Sequence, residues 1–159
     1  MLKVKQIINP EVFYKAEAFH ITAKIIVNNE KLKFHGAPFI VNSTLAIELY
    51  LKSMLSNKCF GNLKHGKYSL VYSEVKKGHD LVSLFSKIPD NLKKQLSKRC
   101  SETTSKIEIL NFLKEYKDHF INWRYSFEGK ARYYKPNEIL FVMEIFNQFG
   151  RNILDGKVS

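Results

Sequence analysis

The amino-acid sequence predicts an all-α protein: a bundle of five or six helices with a small irregular or β-hairpin insertion. Apolar residues recur at helical spacing in several stretches, and helix-start signals precede most of them. The 159 residues include only 7 Gly and 4 Pro, and 45% of them are hydrophobic, which is enough to form a core. Because no repeat and no long linker divides the chain, we expect a single helical domain over residues 1–159.

The first predicted helix runs from Pro10 to Asn28. Asn9 precedes Pro10 and Glu11, the order of an N-cap, a first-turn proline and an acid that favours the helix dipole. Two apolar stripes at helical spacing predict a helix buried on two sides. The stripes consist of Val12, Ala16, Phe19, Ala23 and Ile26, and of Tyr14, Ala18, Ile21 and Ile25.

The second predicted helix follows a turn at residues 33–37 and runs from Pro38 to Asn57. On the helical wheel Glu48 falls among apolar neighbours, and Lys52 lies one turn later in the favourable order for an ion pair. The pair is either a charge-balancing contact within the helix or part of a site. The apolar centre of this helix is Ile40, Ile47, Leu51 and Met54.

Residues 62–78 interrupt the helical period. Tyr68, Leu70 and Tyr72 alternate with smaller or polar residues, which predicts a short half-buried strand or an extended loop. A short helix is expected next, with Asp80 as its N-cap and Pro89 at its end. Its buried side is Leu81, Leu84, Phe85 and Ile88, and a basic helix from Asp90 to Arg99 follows it.

The last third of the chain predicts two longer helices. Ser105 and Glu108 have the spacing of a capping box, so one helix should run from Ser105 through Phe120. The period is lost over residues 123–134, and Pro136 starts the last helix. The inward positions are Ile109, Phe112, Leu113, Tyr116 and Phe120 in the first helix, and Val142, Ile145, Phe146, Phe149 and Ile153 in the second.

Several functional classes lack their usual sequence signals. The five histidines share no close ligand spacing with one another or with Cys59 and Cys100, so we expect no metal and no cofactor. The sequence has no GxxxxGK[ST], GxGxxG or GxSxG motif. Two distant cysteines suit a reducing compartment, and no stretch reaches about 20 apolar residues, so we expect a cytoplasmic protein that does not enter a membrane.

The positive charge is unevenly distributed. The chain has a net charge of +11. Residues 58–100 hold ten Lys and Arg residues against Glu74, Asp80 and Asp90, a net +7. A basic region of this kind is typical of a solvated lysine-rich surface or of a surface that attracts polyanions through counterion release. RNA, DNA and anionic lipid are therefore the expected polyanions.

Three stretches together resemble the HEPN-domain superfamily. They are the segment Ala46 to Leu55, with its Glu-Leu-x-x-Lys pattern, the Gly-His-Asp-Leu turn at residues 78–81, and Trp123-Arg-Tyr. The resemblance covers roughly residues 39–128. It implies a small helical bundle, a homodimer, and a role in RNA-directed stress, defence or toxin–antitoxin function.

The resemblance also implies where catalysis would lie. Catalytic members of the superfamily are metal-independent ribonucleases that use an Arg followed four to six residues later by His. Arg124 matches the Arg, but residues 129–131 are Gly, Lys and Ala, so the dyad is incomplete. His119 or His79 would have to supply the proton transfer that Arg cannot perform.

Three functions follow as hypotheses. The first is a nucleic-acid- or nucleotide-binding module that lacks catalysis, the second a metal-independent endoribonuclease, and the third a structural subunit that binds a protein partner. Glu48, Lys52 and Asp80 would support the site. The residues expected to contact nucleic acid are Lys76, Lys77, Trp123, Tyr125, Lys130 and Arg132.

Overall fold

Seven helices and three strands form the described part of the computed structural model, which comprises residues 2–5, 7–33, 35–62, 68–103, 106–124 and 133–157. The chain is therefore mainly helical, as predicted. In order, the elements are β1 (Leu2–Lys5), α1 (Pro10–Val27), α2 (Gly36–Ser53), β2 (Ser56–Asn62), β3 (Tyr68–Val75), α3 (Leu81–Lys87), α4 (Asp90–Ser101), α5 (Ile109–Tyr116), α6 (His119–Arg124) and α7 (Pro136–Leu154).

Helix α1 begins at the predicted residue because Asn9 caps it: the Asn9 side chain accepts a hydrogen bond from the Val12 N–H at 3.3 Å. One side of α1 packs against α2 and α7. The second apolar stripe is exposed, so the prediction of a helix buried on two sides is wrong. Its four residues, Tyr14, Ala18, Ile21 and Ile25, lie on the side of α1 that faces away from the core.

Helix α2 is the central element and packs against α1, α3, α6 and α7. It ends at Ser53 and not at Asn57 as predicted. The N–H groups of Met54 and Leu55 bond to carbonyls three residues back, at 3.2 and 3.0 Å, which tightens the last turn. The chain then enters β2 at Ser56, because the backbone beyond this turn pairs with two other strands.

The three strands form one antiparallel sheet in the order β1-β2-β3. Strand β3 lies where the sequence pattern favours a strand or an extended loop. Strand β1 was not predicted, because four residues at the start of the chain carry too short a pattern to be distinguished from a loop. The register shifts between Cys59 and Phe60, which marks a bulge in β2.

The predicted helix from Ser105 through Phe120 is divided into α5 and α6. Ser105 lies outside the described residues. Glu108 is itself the N-cap of α5, because its carboxylate accepts hydrogen bonds from the N–H groups of Leu110 and Asn111 at 3.0 and 2.8 Å. Helix α5 ends at Tyr116, and α6 starts three residues later.

The core contains buried residues of α1 to α5 and of α7, and three of its aromatic rings lie where α1, α2 and α7 meet. Gly150 of α7 allows the close approach of α1, since a Cβ there would overlap the buried Phe13 ring. The Phe13 ring lies 5.5 Å from that of Tyr50, which stacks on Phe146 at 6.2 Å. All five predicted core residues of α7 are buried, namely Val142, Ile145, Phe146, Phe149 and Ile153.

Candidate functional site

The ion pair predicted on α2 is present and largely buried. Lys52 Nζ donates a hydrogen bond to Glu48 Oε1 at 2.7 Å. The Glu48 side chain is only 5% exposed and that of Lys52 13% exposed. A carboxylate this deeply buried needs a partner, because the loss of its hydration would otherwise be uncompensated. Lys52 supplies the neutralising charge.

A turn on the chain after β3 brings a second partner to the same carboxylate. Gly78 has a φ of +112°, a conformation that only glycine adopts without strain. Directly after it, His79 Nδ1 lies 3.0 Å from Glu48 Oε1, while the His79 side chain is 80% exposed. An ionised carboxylate only accepts hydrogen bonds, so Nδ1 carries the proton and Nε2 is directed away from Glu48.

The rest of this turn combines positive charge with a structural cap. Lys76 and Lys77 are both exposed and lie in the irregular segment between β3 and α3. Asp80 Oδ1 accepts a hydrogen bond from the Ser83 N–H at 2.6 Å and so caps α3. Asp80 thereby fixes the chain immediately after His79. The structure therefore brings His79, Glu48 and Lys52 together in a cluster that we call the open cluster.

Trp123 of α6 lies at the other end of α2 from Glu48. The Trp123 ring packs at Gly36, in the first turn of α2, where its Cζ3 lies 3.2 Å from the position of a Cβ. Glu48 is twelve residues further along, about 18 Å at 1.5 Å per residue. Arg124 is the last residue of α6 and its side chain is outside the described residues. Trp123, the residue before Arg124, is thus remote from Glu48.

His119 starts α6 and is 3% exposed. Its ring centroid lies 4.5 Å from that of Tyr116. His119 therefore lies in the protein interior, whereas His79 lies at the surface. Three residues expected to contact nucleic acid, Tyr125, Lys130 and Arg132, lie outside the described residues, and their roles stay predictions.

A second polar cluster, which the sequence did not reveal, joins α1, α2 and α7. Asn147 Nδ2 donates to Glu17 Oε1 at 2.9 Å and to the Tyr50 hydroxyl at 3.0 Å, and Arg151 also pairs with Glu17. The Tyr50 oxygen lies 3.0 Å from His20 Nδ1. We call these five residues the closed cluster, because three of them are buried, the Glu17 side chain is 16% exposed, and Arg151 is the one exposed member.

The hydrogen bonds of the closed cluster indicate which atoms carry protons. The Glu17 carboxylate only accepts, so it orients the Asn147 amide, which then donates its other N–H to Tyr50. Burial raises the pKa of Tyr50, so its hydroxyl keeps its proton, and the acceptor facing that proton among the described residues is His20 Nδ1. His20 is therefore the neutral tautomer with its proton on Nε2, which lies 3.8 Å from Glu144 Oε2.

Burial and neighbouring groups shift the pKa values of His20 and Glu17 in this cluster. Burial lowers the pKa of His20, and nearby Lys24 adds to this, against the carboxylates of Glu144 and Glu17. Burial opposes ionisation of Glu17, but hydrogen bonds from Asn147 and Arg151 outweigh it and lower the pKa of Glu17. Glu17 is thus held ionised and His20 neutral.

Within the described ranges, no group of three or more His, Cys, Asp or Glu side chains is arranged to hold a metal ion. None of the helices in those ranges is long and apolar enough to cross a membrane. Cys59 and Cys100 are both buried thiols.

Fold and site together define a mainly helical basic protein that presents an oriented histidine at its surface. Comparisons with protein-family models, with curated proteins and with solved structures gave no match.

Proposed function

We propose that this protein is a HEPN-like module that binds nucleic acid, most simply RNA, through the turn formed by residues 76–79. The observation that carries the proposal is the open cluster: an exposed His79 held in one orientation by a buried carboxylate, two residues after the exposed Lys77 and three after Lys76. The two lysines attract phosphates, and the imidazole offers a donor or acceptor at a fixed position.

The charge of the whole chain supports the same ligand class. A net charge of +11 raises the local concentration of a polyanion and speeds its association. The ion pair between Glu48 and Lys52 is internally balanced, so it does not cancel the charge of the exposed lysines. The exposed lysines of the turn therefore present positive charge to the solvent. The buried pair of Glu48 and Lys52 has no net charge.

Binding of fluorescently labelled single-stranded RNA, measured by anisotropy at low salt, tests the proposal. We expect Lys76→Ala/Lys77→Ala to weaken binding. The matched control is Lys31→Ala/Lys33→Ala, which removes two exposed lysines before α2. Gly36, at the start of α2, is about 18 Å along the helix axis from Glu48. Equal losses in the two variants would mean that only total charge matters and would contradict a site at the turn.

A metal-independent endoribonuclease is the second candidate, and one specific observation favours it. His79 Nδ1 bonds to Glu48 while Nε2 points away, which is the arrangement of an imidazole that can exchange a proton through Nε2. Such a group could take the proton of an RNA 2′-OH or return one to the leaving oxygen. Arg124, with the resemblance behind it, would stabilise the charge of the transition state.

The variant Glu48→Gln separates the two candidates. For a binding module, the Gln side-chain oxygen can still accept hydrogen bonds from Lys52 and His79, and the change removes one negative charge near the RNA, so affinity is unchanged or slightly higher. For an enzyme, the imidazole loses the negative charge that stabilises its protonated form, so cleavage in EDTA falls while binding persists. In that case His79→Ala lowers the cleavage rate by about 100-fold, and Arg124→Ala abolishes cleavage.

Two results would contradict these candidates. Intact RNA after incubation in EDTA, with binding retained, rejects the enzyme and supports the binding module. Neither binding nor cleavage rejects both and leaves a structural subunit with a protein partner.

A further inference from the structure

The exposed large apolar side chains are concentrated around α1. Among the described residues, eight large hydrophobic side chains are exposed, and five of them lie between residues 7 and 32. Three belong to α1 itself and are more than half exposed: Tyr14 at 54%, Ile21 at 52% and Ile25 at 61%. The five residues are Ile7, Tyr14, Ile21, Ile25 and Leu32.

The exposed apolar residues of α1 form a narrow seam along the helix. With Ala18, which is also exposed, they are spaced four, three and four residues apart. At 100° per residue these four positions fall within about 60° of the helix circumference. This is the spacing of a helix-pairing seam in a coiled coil. The buried residues Ala16 and Ala23 of α1 lie on the opposite side.

We infer that this seam binds α1 of a second copy of the chain in antiparallel orientation. A twofold axis between residues 19 and 20 places Tyr14 opposite Ile25 and Ala18 opposite Ile21, so every layer is apolar. The small Ala18 side chain lets the two helices approach closely around the axis. The same symmetry brings Ile7, before α1, toward Leu32, after it, so that all five exposed apolar residues find an apolar counterpart.

Charges beside the seam favour the antiparallel orientation. Glu17 and Lys24 lie on the same flank, and the twofold axis places Glu17 of each copy near Lys24 of the other. Among the described residues, both hydrogen bonds of Glu17 use Oε1, and Lys24, whose Nζ lies 3.9 Å from Glu144 Oε2, is 52% exposed. A parallel pair would not bring these two charges together. Antiparallel helices also have opposed dipoles, which adds to the preference.

A second copy fits the seam better than a membrane surface does. Exposed Glu11 and partly exposed Glu17 alternate with Lys15 and Lys24 around the seam, whereas a helix that lies on an anionic membrane carries mainly basic residues there. Two helices of 18 residues form an interface at the small end of specific ones. We therefore expect a reversible dimer whose population depends on concentration.

Sedimentation velocity over a concentration series reaching on the order of 100 µM tests for the dimer. We expect the wild-type chain to dimerise and Ile21→Glu to raise the dimer dissociation constant by about 100-fold, because two like charges would meet at the axis. The control is Tyr133→Glu, which places the same charge at an 82% exposed apolar residue outside the seam. A monomeric wild-type chain, or an equal effect of both variants, overturns the inference.

Cysteine cross-linking tests the orientation and does not depend on the effect of a charge. The variants Tyr14→Cys and Ile25→Cys replace exposed residues, and the native Cys59 and Cys100 are buried. We expect disulfide-linked dimers when the two variants are mixed and none from either alone, since residue 14 of one copy lies about 16 Å along the axis from residue 14 of the other. Dimers from each variant alone overturn the antiparallel arrangement. If the chain stays monomeric and binds phosphatidylserine vesicles through Ile21, the partner of the seam is a membrane surface and not a second copy.

Discussion

Glu48 and Tyr50 lie two residues apart on α2, about 200° around the helix, and each belongs to a different polar cluster. Tyr50 lies in the closed cluster, where three helices supply all the groups and the histidine is 3% exposed. Glu48 lies in the open cluster, where the histidine comes from a turn and is 80% exposed. One helix therefore supports one inward-facing and one outward-facing histidine.

The difference between the clusters indicates which of them is available to a ligand. In the closed cluster the hydrogen bonds connect α1, α2 and α7 and orient groups only toward one another. In the open cluster Glu48 is buried and the Lys52 side chain is 13% exposed, and among the described residues the exposed group bonded to Glu48 is His79. We therefore expect substitutions in the closed cluster to change stability alone, and substitutions at the exposed part of the open cluster to change binding alone.

The largest expected change in stability comes from the buried part of the open cluster. Lys52→Met leaves the Glu48 carboxylate with His79 as its remaining partner, which should lower the free energy of unfolding by about 3 kcal/mol. Urea unfolding measures it. The control is Lys15→Met, which removes an exposed pair of the same spacing, Glu11 with Lys15 at 2.8 Å. It should change the free energy of unfolding far less, because both side chains of that pair are exposed. Equal losses would show that Glu48 is better solvated than its burial indicates.

The next change comes from the centre of the closed cluster. Tyr50→Phe removes the hydroxyl that donates to His20 and accepts from Asn147, leaving two buried polar groups without that partner. The free energy of unfolding should fall by about 1–3 kcal/mol, while the affinity for RNA, measured below the unfolding transition, stays the same. A clear loss of RNA affinity in a folded Tyr50→Phe chain would contradict the claim that the closed cluster affects stability alone.

The smallest expected effect is a change of the free energy of unfolding with pH, caused by the titration of His20. Burial holds the pKa of His20 below its ordinary value of 6.5. A group with a lowered folded pKa stabilises the fold above its unfolded pKa and loses that contribution as the pH falls below it. Stability should therefore decline from about pH 7 to about pH 5, and His20→Gln should decline less. Urea unfolding at both pH values measures the difference. Identical slopes would contradict a neutral His20.

Local signals in the sequence predicted several elements because short-range chemistry determines them. Asn9 caps α1 and Asp80 caps α3, and the sequence predicted both caps. The pairing of Glu48 with Lys52 is also local, since one helical turn separates them. The buried stripe of α7 follows from its spacing alone.

Contacts between distant parts of the chain were not predictable in the same way. Periodicity showed that α1 has two apolar stripes but not which one the fold would cover. The bond between Asn147 and Glu17 joins residues 130 positions apart, and neither residue carries a pattern that indicates it. The bond of His79 to Glu48 depends on how the sheet and the Gly78 turn return the chain to α2.

The salt dependence of RNA affinity tests most directly whether the turn at residues 76–79 binds phosphates. Each lysine that contacts a phosphate of a single strand contributes about 0.7 to the slope of log affinity against log salt. Wild-type protein and Lys31→Ala/Lys33→Ala should share one slope, and the slope of Lys76→Ala/Lys77→Ala should be smaller by about 1.4. An unchanged slope in Lys76→Ala/Lys77→Ala would contradict the proposed interface.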